Sequence, residues 1–299
     1  MVLTKQSGMA GIDSEGKEKK REMKQYLAII VMDIKLALRL RAVIFFNYLF
    51  PLFFFFGFAT FLGRSDRIGG MVYVVTMSIT FGVLGSGFFG AGIRAIQERE
   101  LGILRRYKVT PITPLPLLVG SMVTGWIIFI PYIVLMLLMA HFIYQMPLPA
   151  HMFQLLAFIS LGLIAFRSLG LVIASVANTM QEGTILVQLC YFPMIFLSGA
   201  TIPEDVFKGV IKILHNFMPA TYLVKGMRSM MLHGQGLSEP ENLAAAGVMV
   251  LTILGGGLIS MKLFRWEKEE KIRGRAKLWV LVVLSPFIVM GTWLWLHNK

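Results

Sequence analysis

Chemistry-bearing side chains are scarce: one cysteine, five histidines and 16 carboxylates in 299 residues. Cys190 has no partner, so no disulfide closes within the chain, and inside an apolar run it reads as a small buried hydrophobe. His141, His151, His215, His233 and His297 are scattered, and no His-Glu-x-x-His occurs. His141 and His151 fall near one loop, but two ligands do not make a structural zinc site, so no metal is expected. Gly85-Ser86-Gly87 lacks the G-x-S-x-G spacing of a serine hydrolase. Gly11 to Lys17 fits G-x-x-x-x-G-K, yet Glu18 stands where a hydroxyl must hold Mg²⁺, and no strand precedes it. The match reads as chance, and the chain is not expected to hydrolyse ATP itself. Residues 1–24 are polar and lack the apolar core of a signal peptide.

What is abundant is hydrocarbon. Hydrophobic residues make up 56% of the chain, and the mean hydropathy is +0.71. Charged residues are only 15%, and they cluster between apolar runs. This is the composition of an all-α polytopic membrane protein. Seven runs are candidate spans: 42–62, 71–93, 115–142, 152–177, 183–202, 243–262 and 278–297. Continuous apolar runs cross a bilayer only as helices, which close their own backbone hydrogen bonds. The net charge of +13 does not point to nucleic acid, because the bases sit in loops beside the spans. With the N-terminus inside, Lys and Arg favour the inside by about three to one. The C-terminus is then outside, beyond a seventh span whose ends carry Trp279, Trp293 and Trp295. The organisation expected is a disordered tail (1–16), an amphipathic surface helix (17–41), a membrane domain (42–262), and a basic loop with the extra span (263–299).

Three features stand out from this background. The first is 97–114, a charged island read as a short amphipathic helix. Glu98 and Glu100 open it, and Arg105, Arg106 and Lys108 close it, as the helix dipole favours. No base lies four residues after an acid, so the charges are expected to be free for a partner. Leu101, Leu104 and Tyr107 share a face, and Pro111 and Pro114 stop the helix. The alternative is an ordinary basic loop that only sets topology. The second is 199–240, where Thr201-Ile202-Pro203-Glu204 has the form of a capping box and two half-apolar helices follow, divided at Pro219. The third is Arg167, a charge well inside a span, either lining a polar path or holding the fold. Glycines at 82, 85, 87, 90, 92, 162, 170 and 255–257 point to close helix packing. Phe53 to Phe56 read as a lipid-facing or core stripe rather than a substrate wall.

Glu98-Arg99-Glu100-x-Gly102-x-Leu104-x-Arg106 with Val109-Thr110-Pro111 and Pro114 resembles the cytoplasmic loop of type-2 ABC exporter permeases. Phe196-Leu197-Ser198-Gly199, Pro203, Met218 to Tyr222 and Arg228 resemble that family's run near the outer face. The resemblance covers about residues 20–265. It implies a six-helix core with an N-terminal elbow helix and an outer re-entrant pair involving Gly199, Pro203, Pro219, Tyr222 and Arg228. It also implies a coupling helix, carrying Glu98, Arg99, Glu100, Leu101, Gly102, Leu104, Arg105 and Arg106, that sits in a cleft of an ATP-binding subunit. Leu101 and Leu104 would fill that cleft. ATP and Mg²⁺ would be held by that partner. A second permease copy or a relative and the membrane lipid are the other implied partners, and the seventh span departs from the pattern. The expected activity is ATP-driven export of a hydrophobic or amphipathic substrate (drug, lipid or lipid-linked glycan) from the inner side of a prokaryotic plasma membrane. Alternatives are a non-transport membrane scaffold and an ion-coupled secondary transporter. The latter is disfavoured because the spans contain no carboxylate.

Overall fold

The computed structural model describes residues 23, 26–35, 39, 48–62, 67–108, 112–272 and 279–297. The tail at 1–16, the start of the first run at 42–47, Val109 to Pro111 and Lys299 lie outside the described residues. Every long element among the described residues is a helix: α1 (26–35), α2 (Phe50–Leu62), α3 (Arg67–Gly85), α4 (Arg94–Glu100), α5 (Ile103–Lys108), α6 (Pro114–Tyr144), α7 (Met152–Val176), α8 (Met180–Leu197), α9 (Val210–Phe217), α10 (Pro219–Leu232), α11 (Pro240–Lys262) and α12 (Trp279–His297). Between α3 and α4 the chain stays helical through a π segment, Ser86–Ile93.

Among the described residues, five helices are long and apolar enough to cross a membrane: Gly69–Glu100, Pro114–Tyr144, Met152–Val176, Met180–Leu197 and Pro240–Lys262. Among the described residues, the first and seventh expected spans contribute the apolar stretches Pro51–Phe61 within α2 and Val282–Trp293 within α12. Polar side chains within these helices bond back to their own carbonyls. Thr80 Oγ1 donates to Thr76 O at 2.7 Å, and Thr252 Oγ1 to Val248 O at 2.8 Å. Pro286 supplies no N–H for the carbonyl of Val282, and Ser285 Oγ donates to that carbonyl instead, at 2.7 Å.

α7 is the axis of the packing, buried on nearly all sides from Gly162 to Val176. Its most extensive neighbours are the π segment and α11. Backbones touch there. A Cβ on Gly170 would stand 2.0 Å from Gly87 O, and one on Gly256 would stand 2.3 Å from Ser168 Oγ. The expected phenylalanine stripe divides, with Phe55 buried and Phe53 and Phe56 exposed. Cys190 is half-buried rather than fully enclosed.

α12 runs back antiparallel to α11. Lys262 lies 4.5 Å over the Trp279 ring at one end of the pair, and Ala244 and Trp293 line one groove at the other. α12 also packs on the α9–α10 pair: Gly291 sits against Phe217 and the Asn216 carbonyl, and the Phe287 and Tyr222 rings are 5.9 Å apart. The seventh expected span, α12, is therefore packed against the rest of the domain, with Val283 and Phe287 in the core.

The 199–232 region departs from its sequence pattern. Thr201 caps nothing, because its hydroxyl donates to Ile195 O at 3.1 Å. A single 3₁₀ turn, Glu204–Val206, follows Pro203, and α9 starts only at Val210, after Gly209 at a φ of 56°. Glu204 is drawn instead toward α9 and α10, 3.3 Å from both His215 Nε2 and Lys225 Nζ. α9 buries His215 and Asn216 and turns Val210, Ile211, Ile213 and Leu214 outward. That inside-out face suits a helix whose outer surface meets lipid. Pro219 opens α10 as its first residue, Tyr222 Oη donates to Asn216 O at 2.6 Å, and Arg228 Nη2 donates to Gly199 O at 2.6 Å. Arg228 also lies 4.7 Å over the Tyr73 ring of α3.

The hydrogen bond from His215, reinforced by Lys225 against the cost of burial, holds the Glu204 carboxyl at about 2, down from 4.5. A lowered carboxyl pKa contributes stability in full above about pH 4.5 and loses it as pH falls toward 2. Glu204→Gln is therefore expected to flatten the fall of the thermal midpoint between pH 4.5 and 2. An unchanged acid limb would remove this cluster from the account of stability.

Candidate functional site

At one end of the molecule, the basic end, α1, the α4–α5 corner, the α7–α8 turn and the segment after α11 come together. The corner is not one helix. The long helix Gly69–Glu100 runs through the π segment and α4, and the chain breaks at Leu101 and Gly102 before α5 begins. Gly102 has a φ of 70°, a left-handed conformation that a side chain would oppose. The break splits the expected apolar face. Leu101 is 65% exposed at the tip, Leu104 is 7% exposed and turned inward, and Tyr107 is half-buried.

The charges are also committed, contrary to the sequence expectation. Arg94 lies four residues before Glu98 and pairs with it at 2.7 Å, and it reaches Asp33 of α1 at 2.9 Å. Arg99 is buried and donates to Ala174 O at 2.9 Å and Ala177 O at 2.6 Å. Arg265 joins it, donating to Ser175 O at 3.0 Å and Ala177 O at 2.5 Å. Two guanidinium groups thus satisfy the carbonyls that the end of α7 leaves open, where the helix dipole favours cations. On the other side of the turn, Thr179 accepts from Glu182 N and Glu182 accepts from Asn178 N. Glu100 accepts from Met180 N at 2.6 Å. The start of α8 is capped by oxygens from two parts of the chain.

A cavity of about 120 Å³ lies behind the corner, with Asp33, Arg94, Glu98, Leu104, Tyr107 and Ser121 in its lining. Burial raises the Tyr107 hydroxyl above its ordinary range. Lys108 reaches Glu267 at 2.9 Å, fixing the exposed end of α5 to the segment after α11. Of the residues expected to meet a partner, Glu98, Arg99, Glu100 and Leu104 bind within the chain. Leu101, Arg105 and Arg106 remain open, and the exposed Ile103 joins them. The basic end therefore presents an apolar tip flanked by two guanidinium groups, on a corner fastened at four places.

A family model described as ABC-2 type transporter matches residues 24–232. The chain belongs to the ABC-2 type transporter family. This is an integral membrane protein, and the family match takes in α1 to α10 while α11 and α12 follow it. The inner membrane transport permease YhhJ of Escherichia coli (strain K12) is 24% identical over 178 residues, 59% of this chain and 46% of that protein. The probable multidrug ABC transporter permease YbhS of the same strain is 23% identical over 163 residues, 54% of this chain and 43% of that protein. ABC transporter G family member 20 of Dictyostelium discoideum is 26% identical over 174 residues, 58% of this chain and 23% of that protein. The matched stretch spans under half the length of each of these relatives.

In this ABC-2 protein, Arg167 is buried between the π segment and α6, and its partner Ser121 lines the cavity behind the corner. It donates to the hydroxyl and carbonyl oxygens of Ser86 and Ser121. Sequence reasoning found Arg167 but neither serine. It also missed Asp33, Arg265 and His215, whose partners lie in remote segments. An Arg94–Glu98 spacing of four was visible in the sequence and could have been used.

Proposed function

We propose that this ABC-2 protein is the membrane subunit of an ATP-driven exporter, and that the α4–α5 corner is where a separate ATP-binding subunit docks. The observation that carries this is the corner itself. An exposed Leu101 and Ile103 stand beside Arg105 and Arg106, on a corner that Arg99, Glu100 and Arg94 fasten to α7, α8 and α1. Force applied at such a corner moves the long helix Gly69–Glu100 and the α7–α8 turn together. ATP and Mg²⁺ belong to the partner. The basic end faces the cytoplasm, as its excess of Lys and Arg favours. α12, antiparallel to α11, then carries the C-terminus to the outer side, where α9 and α10 cap the membrane domain. Two copies, or this chain and a related permease, enclose the path between them. The substrate class is a hydrophobic or amphipathic molecule: a drug, a lipid or a lipid-linked glycan. The name of YbhS as a probable multidrug permease supports the first of these.

The test is to express the full chain with a candidate ABC ATP-binding subunit of the same organism, purify by a tag on the membrane subunit, and reconstitute in lipid. The expected result is a stable complex whose ATP hydrolysis exceeds that of the ATP-binding subunit alone. Recovery of the membrane protein without any ATPase, from lipid and at low salt, would contradict the proposal.

A further inference from the structure

The π segment is an unusual way to build a membrane helix. At its end the Arg94 N–H still reaches back five residues, to Phe89 O. A π turn is less favourable than an α turn and persists where its surroundings hold it. The surroundings here are visible. Gly87 backs onto the Phe166 carbonyl, and Gly92 onto the Gly170 carbonyl, so α7 lies against the widened backbone. One charged side chain reaches the first residue of the segment. Arg167 Nη1 donates to Ser86 O at 3.0 Å and Ser86 Oγ at 2.8 Å. Its Nη2 donates to Ser121 O at 2.6 Å and Ser121 Oγ at 3.1 Å, across on α6. Gly125 makes room for it, since a Cβ there would stand 2.1 Å from the guanidinium carbon.

Among the described residues no carboxylate contacts Arg167, and its buried Nε has no hydrogen-bond partner. A charge kept in a helix bundle on serines and carbonyls alone is costly, and packing does not require it. In an α register the Gly90 N–H would turn toward Ser86 O, the helix would tighten, and every residue beyond it would rotate about the helix axis. Arg167 occupies that carbonyl and ties it to α6.

We infer that Arg167 is a positioning residue: it holds the long helix Gly69–Glu100 in its π register and so sets the rotation of α4, and of the Leu101–Gly102 corner, relative to α3. The use of that corner by an ATP-binding subunit rests on the proposed function, whereas the register does not.

The experiment reads rotation directly in the purified full chain, without any partner, in a Cys190→Ser background. One cysteine pair reports on α4: Ile96→Cys with Gly183→Cys, where a Cβ at 183 would lie 3.5 Å from Ile96 Cγ1. A second pair reports on the fold around α7: Ser168→Cys with Gly256→Cys, where a Cβ at 256 would lie 3.3 Å from the Ser168 Cβ. Both pairs should oxidise readily with Arg167 present. In Arg167→Leu the 168–256 link should form as before, and the 96–183 link should slow at least about tenfold, as a lost contact geometry requires. Arg167→Lys keeps the charge without the fork and should recover part of the rate. Equal rates for the 96–183 link in all three proteins would overturn the inference. If Arg167→Leu does not fold, Ser86→Ala with Ser121→Ala leaves the charge and removes two hydroxyl acceptors. That variant should slow the 96–183 link alone, and an unchanged rate, or loss of both links together, would assign Arg167 to the fold and not to register.

Discussion

Gly170→Leu is expected to abolish accumulation of folded protein. At this position α7 meets the π segment backbone to backbone. A Cβ would stand 2.0 Å from Gly87 O and 3.1 Å from Gly92 N, and neither can move without moving a helix. Overpacking a core with side-chain neighbours costs about 1–3 kcal/mol, because rotamers give way. Here the obstacle is main chain, so the penalty should exceed that range and compare with the whole stability of a domain. Gly255→Ala is the matched control: nothing lies within 4 Å of a Cβ there. It should leave the yield unchanged, or raise it by the helix preference of alanine, about 1 kcal/mol. The measurement is monodisperse protein recovered in detergent and its thermal midpoint. Normal recovery of Gly170→Leu would mean that α7 and the π segment do not touch as described.

This pair of glycines also shows how far the sequence could be read. Glycine-rich spans announced close packing, and Gly87, Gly92, Gly162, Gly170 and Gly256 deliver it, while Gly85, Gly255 and Gly257 face open space. Composition marks the helices and cannot say which face meets which neighbour. The long apolar runs were legible because a bilayer demands them. The π segment was not, because nothing in Ser86 to Ile93 distinguishes a π turn from an α turn without α7 beside it. At the basic end the corner was legible as a charged island, but the destinations of its charges were not. Arg99 finds its carbonyls 75 and 78 residues away, and Arg94 finds Asp33 at a separation of 61. A local pattern such as the Thr201–Glu204 box failed for the same reason, since Glu204 gains more from His215 and Lys225 than from a helix start.

Leu101→Asp and Leu104→Asp are expected to part company, although both lie in the same motif. Leu104 is enclosed by the chain itself, so an aspartate there would bury an unpaired charge at a cost of several kcal/mol. Its expected phenotype is loss of folded protein. Leu101 sits at the exposed tip, fixed by a left-handed Gly102, and an aspartate there stays in water until a partner covers it. Its expected phenotype is an intact membrane protein that loses its ATP-binding subunit. Interface energy concentrates in a few enclosed anchors, and losing one costs about 2 kcal/mol or more, roughly thirtyfold in affinity. Arg105 and Arg106 flank the tip and should add salt sensitivity to the contact.

The most direct measurement places a photo-reactive side chain at position 101, at position 104 and at position 153, where Phe153 is exposed on α7 near its start. The three full-length proteins are illuminated in membranes that also contain the ATP-binding subunit. The account predicts a covalent product with that subunit from position 101 alone. Position 104 should react within its own chain, and position 153 with lipid or with the chain itself. A product from 153 and none from 101 would contradict both the docking site and the orientation of the molecule in the membrane.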